Sequence, residues 1–275
     1  MEVLPGISEP VFRFSIFAAA LIAMALIELM IPRRKLSAPK LKRWATNFTI
    51  VAIDTAVVRL MGALAVPLVA VAAAVHAESN GWGLFNVVAL PGWLEFLLAL
   101  LILDLAIWFQ HLVSHKVPLL WRLHRVHHAD VDIDVSTAIR FHPIEIALSM
   151  LWKIALVFVF GPSALAVVVF EVILNACAMF NHANIALPRW LDPVLRALIV
   201  TPDMHRVHHS VIRREHDSNY GFNLSIWDRL FGTYNDQPEK GHDGMKIGLE
   251  QYPAPEPTRL IWSLALPFGS KPGKH

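Results

Sequence analysis

Ten of the chain's 14 histidines fall between positions 111 and 209. In His111-Leu-Val-Ser-His115 two imidazoles stand at i and i+4; in His124-Arg-Val-His-His128 and His205-Arg-Val-His-His209 three stand at i, i+3 and i+4. On a helix each spacing stacks its side chains on one face. A single HxxxH is most simply a pair of histidines at a membrane interface, but three such clusters in one short chain point to metal coordination. Neutral imidazole is the commonest side-chain metal ligand, and crowded imidazoles cannot all carry a proton. The eight nitrogens of these motifs exceed the capacity of one tetrahedral or octahedral ion, so the count suggests two metals. The pattern of soluble carboxylate bundles, Glu residues together with two Glu-x-x-His pairs, is absent, as is the His-Glu-x-x-His of zinc proteases. Cys177 is the only cysteine, which excludes an internal disulfide, a thiolate zinc site and a cysteine-held iron–sulfur cluster.

The elements that must carry these residues are apolar. Of 275 residues 55% are hydrophobic and 17% charged, and the mean hydropathy is +0.49, which indicates an integral membrane protein and excludes disorder. With 24 basic against 22 acidic residues there is no charge excess to recruit nucleic acid. Residues 11–31 form a first span, read as uncleaved because no basic residue precedes it. A block holding Arg33, Arg34, Lys35, Lys40, Lys42 and Arg43 follows and reads as a cytoplasmic loop. A second span covers about 50–75, an outer loop 77–92 carries Glu78 and no Lys or Arg, and a third span covers about 93–110. The apolar stretch 144–180 is too long for one span and breaks at Gly161-Pro162-Ser163, giving either two spans or a shallower hairpin.

The expected fold is therefore an all-α integral membrane protein of about three spans plus a helical hairpin, with a cytoplasmic, histidine-rich helical cap. The whole of 1–275 reads as a single membrane domain, with N-terminal spans over 1–92, a histidine-rich core over 93–235 and a tail over 236–275. The two HRVHH copies have different flanks, so they read as repeated chemistry rather than repeated architecture. Histidines 76, 216, 242 and 275 have no such spacing: His76 falls on the outer side, His275 is terminal, and His216 follows Arg213-Arg214 and reads as a headgroup contact. Trp44, Trp121 and Trp190 read as an interfacial belt, and the proline-rich tail 253–271 as a segment on the membrane surface.

Asp104-Leu-Ala-Ile-Trp-Phe-Gln-His111, the HxxxH and two HxxHH motifs, Ser136-Thr-Ala-Ile-Arg-Phe-His-Pro143, Asn181-His182 and Asn219-Tyr-Gly221 together resemble the fatty acid hydroxylase/sterol desaturase superfamily. The motifs run from 104 to about 234, roughly half the chain, and the ending Trp227-Asp-Arg-Leu-Phe-Gly-Thr-Tyr234 is similar to its bacterial and alkylglycerol monooxygenase branches. The resemblance implies a membrane-embedded di-iron oxygenase that uses O2 to hydroxylate or desaturate a C–H bond of a lipid such as a fatty acyl chain or sterol. Carried over position by position, it implies as iron ligands His111, His115, His124, His127, His128, His205, His208 and His209, with His182 as a ninth.

His142 is either a further ligand or a headgroup contact at a span start. Asp104, two turns before His111 on the same face, either orients a ligand or pairs with Arg59; Glu145 and Asp203 are candidates for supporting roles. Trp108, Phe109, Phe141 and Trp152 are candidate walls of a lipid groove. No G-x-G-x-x-G fingerprint, cysteine cluster or haem-domain pattern occurs in these residues, which implies a separate electron donor: a ferredoxin, a cytochrome or a reduced pterin. Placement is multi-pass, with the histidine site on the cytoplasmic side and, in a bacterium, in the inner membrane. The competing readings are a membrane metal-binding or transport protein, a bis-histidine haem protein and a zinc-dependent lipid hydrolase.

Overall fold

A computed structural model describes residues 2–4, 6–64 and 69–269; His275, the end of the proline-rich tail and part of the second expected span lie outside the described residues. Five helices are long and apolar enough to cross a membrane: α1 (Glu9–Met30), α2 (Lys40–Leu64), α5 (Gly92–Lys116), α7 (Pro143–Phe160) and α8 (Ala164–His182). Between α2 and α5 lie two shorter helices, α3 (Ala70–Ser79) and α4 (Leu84–Val87). The chain is thus an all-α, multi-pass membrane protein. Among the described residues the only strands are the short hairpin of Glu2–Leu4 with Ile7–Ser8.

The second expected span differs from the structure. α2 starts at Lys40, and Ala70–Ser79 is a separate helix rather than its continuation. Ala70, Ala73 and Ala74 of α3 pack on Met150, Ile154 and Val157 of α7 and on Val167 of α8, small residues that let the backbones approach. α1 lies along α8, and α2 along α7. Arg13 of α1 and Lys153 of α7 both pair with Glu171 of α8, so these three charges satisfy one another.

The 144–180 stretch is a hairpin with defined ends. α7 stops at Gly161, whose φ of +64° suits glycine, and the Ser163 side chain caps α8 by accepting from the Ala166 N–H. The tip meets the far end of the bundle: Ser163 N–H donates to Glu95 in the first turn of α5 at 3.0 Å. A Cβ on Gly83 would lie 2.3 Å from Gly161 N, so this approach requires glycine. The hairpin therefore reaches the level at which α5 begins.

Past α5, the short helix α6 (Pro118–His128) begins at a proline. After α8 the chain folds into a cap of short helices: α9 (Leu191–Arg196), α10 (Pro202–His208), α11 (Arg213–His216), α12 (Ile226–Leu230), α13 (Gly241–Gly244) and α14 (Leu260–Ala265). Much of the basic block expected to be a loop holds this cap and the residues after α6. Arg43, fully buried in α2, makes ion pairs with Asp130 at 2.6 Å and Asp134 at 2.5 Å. Arg33 pairs with Asp203 and Asp243, and Arg34 donates to the Met245 carbonyl. The tail does not lie free: Pro257, Ser263 and Leu266 are buried and Arg140 donates to Pro257 O and Ser263 Oγ, while Pro253, Pro255, Ile261 and Phe268 are among the residues that face outward.

Candidate metal centre

Four helix ends converge on one buried volume. The last turns of α5 bring His111 and His115, α6 brings His124, His127 and His128, the end of α8 brings His182, and α10 with the residue after it brings His205, His208 and His209. These nine imidazoles sort into a group of five, His111, His115, His124, His128 and His208, and a group of four, His127, His182, His205 and His209. Within each group one ring nitrogen per residue lies within 4.8 Å of all the others. Each HxxHH gives its i and i+4 residues to one group and its i+3 residue to the other, so the two motifs cross over.

Hydrogen bonds at the back of the rings set the tautomers. His182 Nδ1 donates to the Ala178 carbonyl at 2.7 Å, His127 Nδ1 to Arg140 O at 3.3 Å, His111 Nδ1 to Tyr220 O at 2.8 Å and His208 Nδ1 to Ser218 O at 2.7 Å. A carbonyl only accepts, so these rings carry their proton on Nδ1 and leave Nε2 bare. His182 Nε2 then faces His127 Nε2 at 3.1 Å, lone pair against lone pair, an arrangement that a cation between them relieves. Both ring nitrogens of His115, His128 and His209 are buried without a hydrogen-bond partner, as is His208 Nε2. Burial pushes the His124 imidazolium down to about 3 and, with the neighbouring imidazoles, holds His127, His128, His205 and His209 well below the ordinary range. Neutral imidazoles with converging bare nitrogens fit metal ions.

The sequence model of the fatty acid hydroxylase family matches residues 96–233, a stretch that contains all nine of these histidines. The chain belongs to the fatty acid hydroxylase family. Among its relatives, alkylglycerol monooxygenase of Homo sapiens is 31% identical over 64% of this chain and 38% of its own length. An ornithine lipid hydroxylase of Rhizobium tropici is 29% identical over 66% of this chain and 52% of its own. A very-long-chain aldehyde decarbonylase of Oryza sativa is 27% identical over 53% and 24%. The chain thus spans about half or less of the length of these relatives. No solved structure matches it.

The remaining sequence candidates of this hydroxylase-family chain fall in different places. Glu145 stands beside the five-membered group, with Oε1 2.6 Å from His124 Nδ1. His142 joins neither group: its Nδ1 caps α7 by accepting from the Ile144 N–H, and its Nε2 meets Leu264 O at 3.2 Å. Asp203 holds Arg33 and Arg206 and lies 3.7 Å from His242 Nε2, so it braces the cap. Asp104 contacts neither a histidine nor Arg59; it accepts from Trp227 Nε1 at 2.8 Å and the Leu224 N–H at 3.3 Å. His216 is no headgroup contact: its ring packs 5.3 Å from those of His115 and His128 and 4.8 Å from Trp121. Trp121 is likewise buried against the imidazoles rather than part of an interfacial belt, and Trp44 donates to Asp134. His76 packs edge-on against Trp82 and Phe158.

Asp228 is the residue that sequence reasoning quoted without a role. Its two oxygens accept from the N–H groups of Tyr220 and Gly221, both at 2.8 Å, from Trp108 Nε1 at 3.0 Å and from Thr233 Oγ1 at 2.7 Å. This fixes the Tyr220 carbonyl on His111. A Cβ at Gly221 would stand 2.9 Å from Asp228 Oδ2, which explains the glycine. The signal was present in the sequence as a lone acid inside Ile226–Leu230.

Between α5, α6 and α7 lies a cavity of about 160 Å³, whose lining includes Phe109, Val113, Leu123, Glu145, Leu148 and Trp152. Two of the four expected wall residues, Phe109 and Trp152, line it. Trp108 instead stacks on Phe231, and Phe141 stacks on His127 at 4.4 Å.

Proposed function

We propose that the protein is a membrane-bound, O2-dependent di-iron oxidoreductase that hydroxylates, or desaturates, a C–H bond of a lipid such as a fatty acyl chain or sterol. The observation that carries this reading is the pair of neutral imidazole groups, five and four strong, whose bare nitrogens converge beside an apolar cavity. The five-membered group and the four-membered group would each hold one iron, His128 and His208 in one, His127 and His209 in the other. Two irons held there would supply O2-dependent oxidation of an unactivated C–H bond.

The chain's own residues bind and orient. Carbonyls of Ala178, Arg140, Tyr220 and Ser218 hold the ligand rings in one tautomer, and Glu145 orients His124. The apolar walls of the cavity exclude water and accept methylene groups. The relatives named alkylglycerol monooxygenase and ornithine lipid hydroxylase support hydroxylation over desaturation. The site faces the cytoplasm, by the positive charge of the segment after α1, so a separate ferredoxin, cytochrome or reduced pterin reaches it from there. Residues 1–92 serve as N-terminal spans, 93–235 as the catalytic core and 236–275 as a tail within one membrane domain.

Mass spectrometry of membrane lipids from cells with and without the gene tests the reading. The expected result is a lipid that gains one oxygen atom, lost in His128→Ala. An identical lipid profile in iron-replete, aerated cells whose purified protein carries two irons overturns it.

A further inference from the structure

Most of the side chains lining the cavity between α5, α6 and α7 are apolar, and Glu145 supplies a carboxyl group. Glu145 is 8% exposed; its Oε1 meets His124 Nδ1, and its Oε2 is buried with no hydrogen-bond partner. The other polar lining residues include Ser149 and Gln110, which bond each other at 3.3 Å. A buried carboxyl oxygen without a partner carries a desolvation cost that a ligand hydroxyl removes.

Resting on the lipid-oxidation reading above, we infer that the cavity binds the reacting segment of the substrate and that Glu145 Oε2 holds a hydroxyl carried by that segment. The walls accept methylene groups of any lipid, whereas the carboxyl oxygen selects those with a hydroxyl at the matching place. A hydroxyl donates to a carboxylate and accepts from a carboxylic acid, so the recognition holds in either protonation state. Phe109 and Leu148 are 47% and 42% exposed on the outer faces of α5 and α7, which gives a chain dissolved in the bilayer a way in. Glu145 meets His124 through Nδ1, while His124 Nε2 faces His111 at 3.1 Å. The His124 imidazole therefore stands between a hydroxyl on Glu145 and the converging ring nitrogens of the five-membered group.

Quenching of Trp152, which lines the cavity, tests this by binding alone. The full chain in detergent micelles is titrated with a long-chain primary alcohol brominated midway and with the equally brominated alkane; the Trp152 contribution is the difference from Trp152→Phe. The alcohol is expected to bind about tenfold more tightly, the worth of one hydrogen bond to a buried group. Glu145→Leu should bring the two probes to the same affinity. Glu145→Gln keeps an oxygen for His124 and a polar atom for the hydroxyl, so it retains the preference and separates lost recognition from lost fold. Leu148→Phe narrows the cavity without touching Glu145 and weakens both probes alike. Equal affinity for the two probes in the wild type, a preference that survives Glu145→Leu, or unchanged binding in Leu148→Phe overturns the inference. The titration needs no turnover: oxidised lipid without a preference refutes the Glu145 assignment alone, and a preference without oxidised lipid refutes the oxidation reading alone.

Discussion

His127 and His128 are adjacent in the chain, yet their imidazole planes stand at 88° and each joins a different histidine group. Consecutive helical residues point about 100° apart, so one short helix serves both groups.

This division makes single substitutions unequal. His182→Ala leaves three imidazoles in its group, whereas His115→Ala leaves four in the other. Elemental analysis of purified protein should find about one metal per chain for His182→Ala and a smaller loss for His115→Ala, since three or four nitrogen ligands bracket what an ion requires. Equal loss in both would contradict the grouping.

Metal removal should also destabilise the fold. Without a cation, His182 and His127 oppose lone pairs at 3.1 Å inside a dry interior. Chelation is expected to lower the Tm by about 5–10 °C, the shift that follows from losing a tightly bound ligand of the native state. Differential scanning in detergent, with and without chelator, measures it.

His142 separates a helix cap from a ligand. His142→Asn preserves a side-chain acceptor for the Ile144 N–H but loses the contact to Leu264 O, so it should match the wild type in metal content and lower the Tm less than His142→Ala. His142→Ala should keep both metals while losing about 1 kcal/mol, the usual worth of an N-cap. Loss of metal in either variant would restore His142 as a ligand.

Asp228→Ala leaves the N–H groups of Tyr220 and Gly221 and the Trp108 indole without their acceptor, each costing about 1–3 kcal/mol if it stays buried. Because the Tyr220 carbonyl orients His111, metal content should fall together with stability. Asp104→Asn keeps an oxygen for Trp227 and should be the milder change. Thermal scans and elemental analysis of the two variants, compared side by side, check this.

Membrane orientation is checked with single cysteines in a Cys177→Ser background. Ser37 and Arg214 are exposed on the histidine end of the bundle, and Glu78 is exposed at the end of α3. A membrane-impermeant thiol reagent applied to intact cells should label Glu78→Cys and leave Ser37→Cys and Arg214→Cys unlabelled until the membrane is opened. The reverse pattern would place the histidines outside.

The all-α membrane class, the long apolar helices and eight of the nine histidines that gather in the interior were legible in the sequence, because each depends on short-range rules; His182 was named by the family resemblance alone. Hydropathy marks a span residue by residue, and i, i+3, i+4 spacing puts imidazoles on one face whatever the helix later meets. The tertiary structure alone decided which imidazoles share a group. His208 joins His111, and His182 joins His127, across separations that no helical period spans. It also decided that Asp228 rather than Asp104 braces a histidine through the Tyr220 carbonyl, that His142 is a cap, that Arg43 is buried between Asp130 and Asp134, and that the 161–163 turn reaches the start of α5. A polar residue in an apolar helix must find a partner, but the sequence names only the demand; which group meets it depends on the packing of helices far apart in the chain.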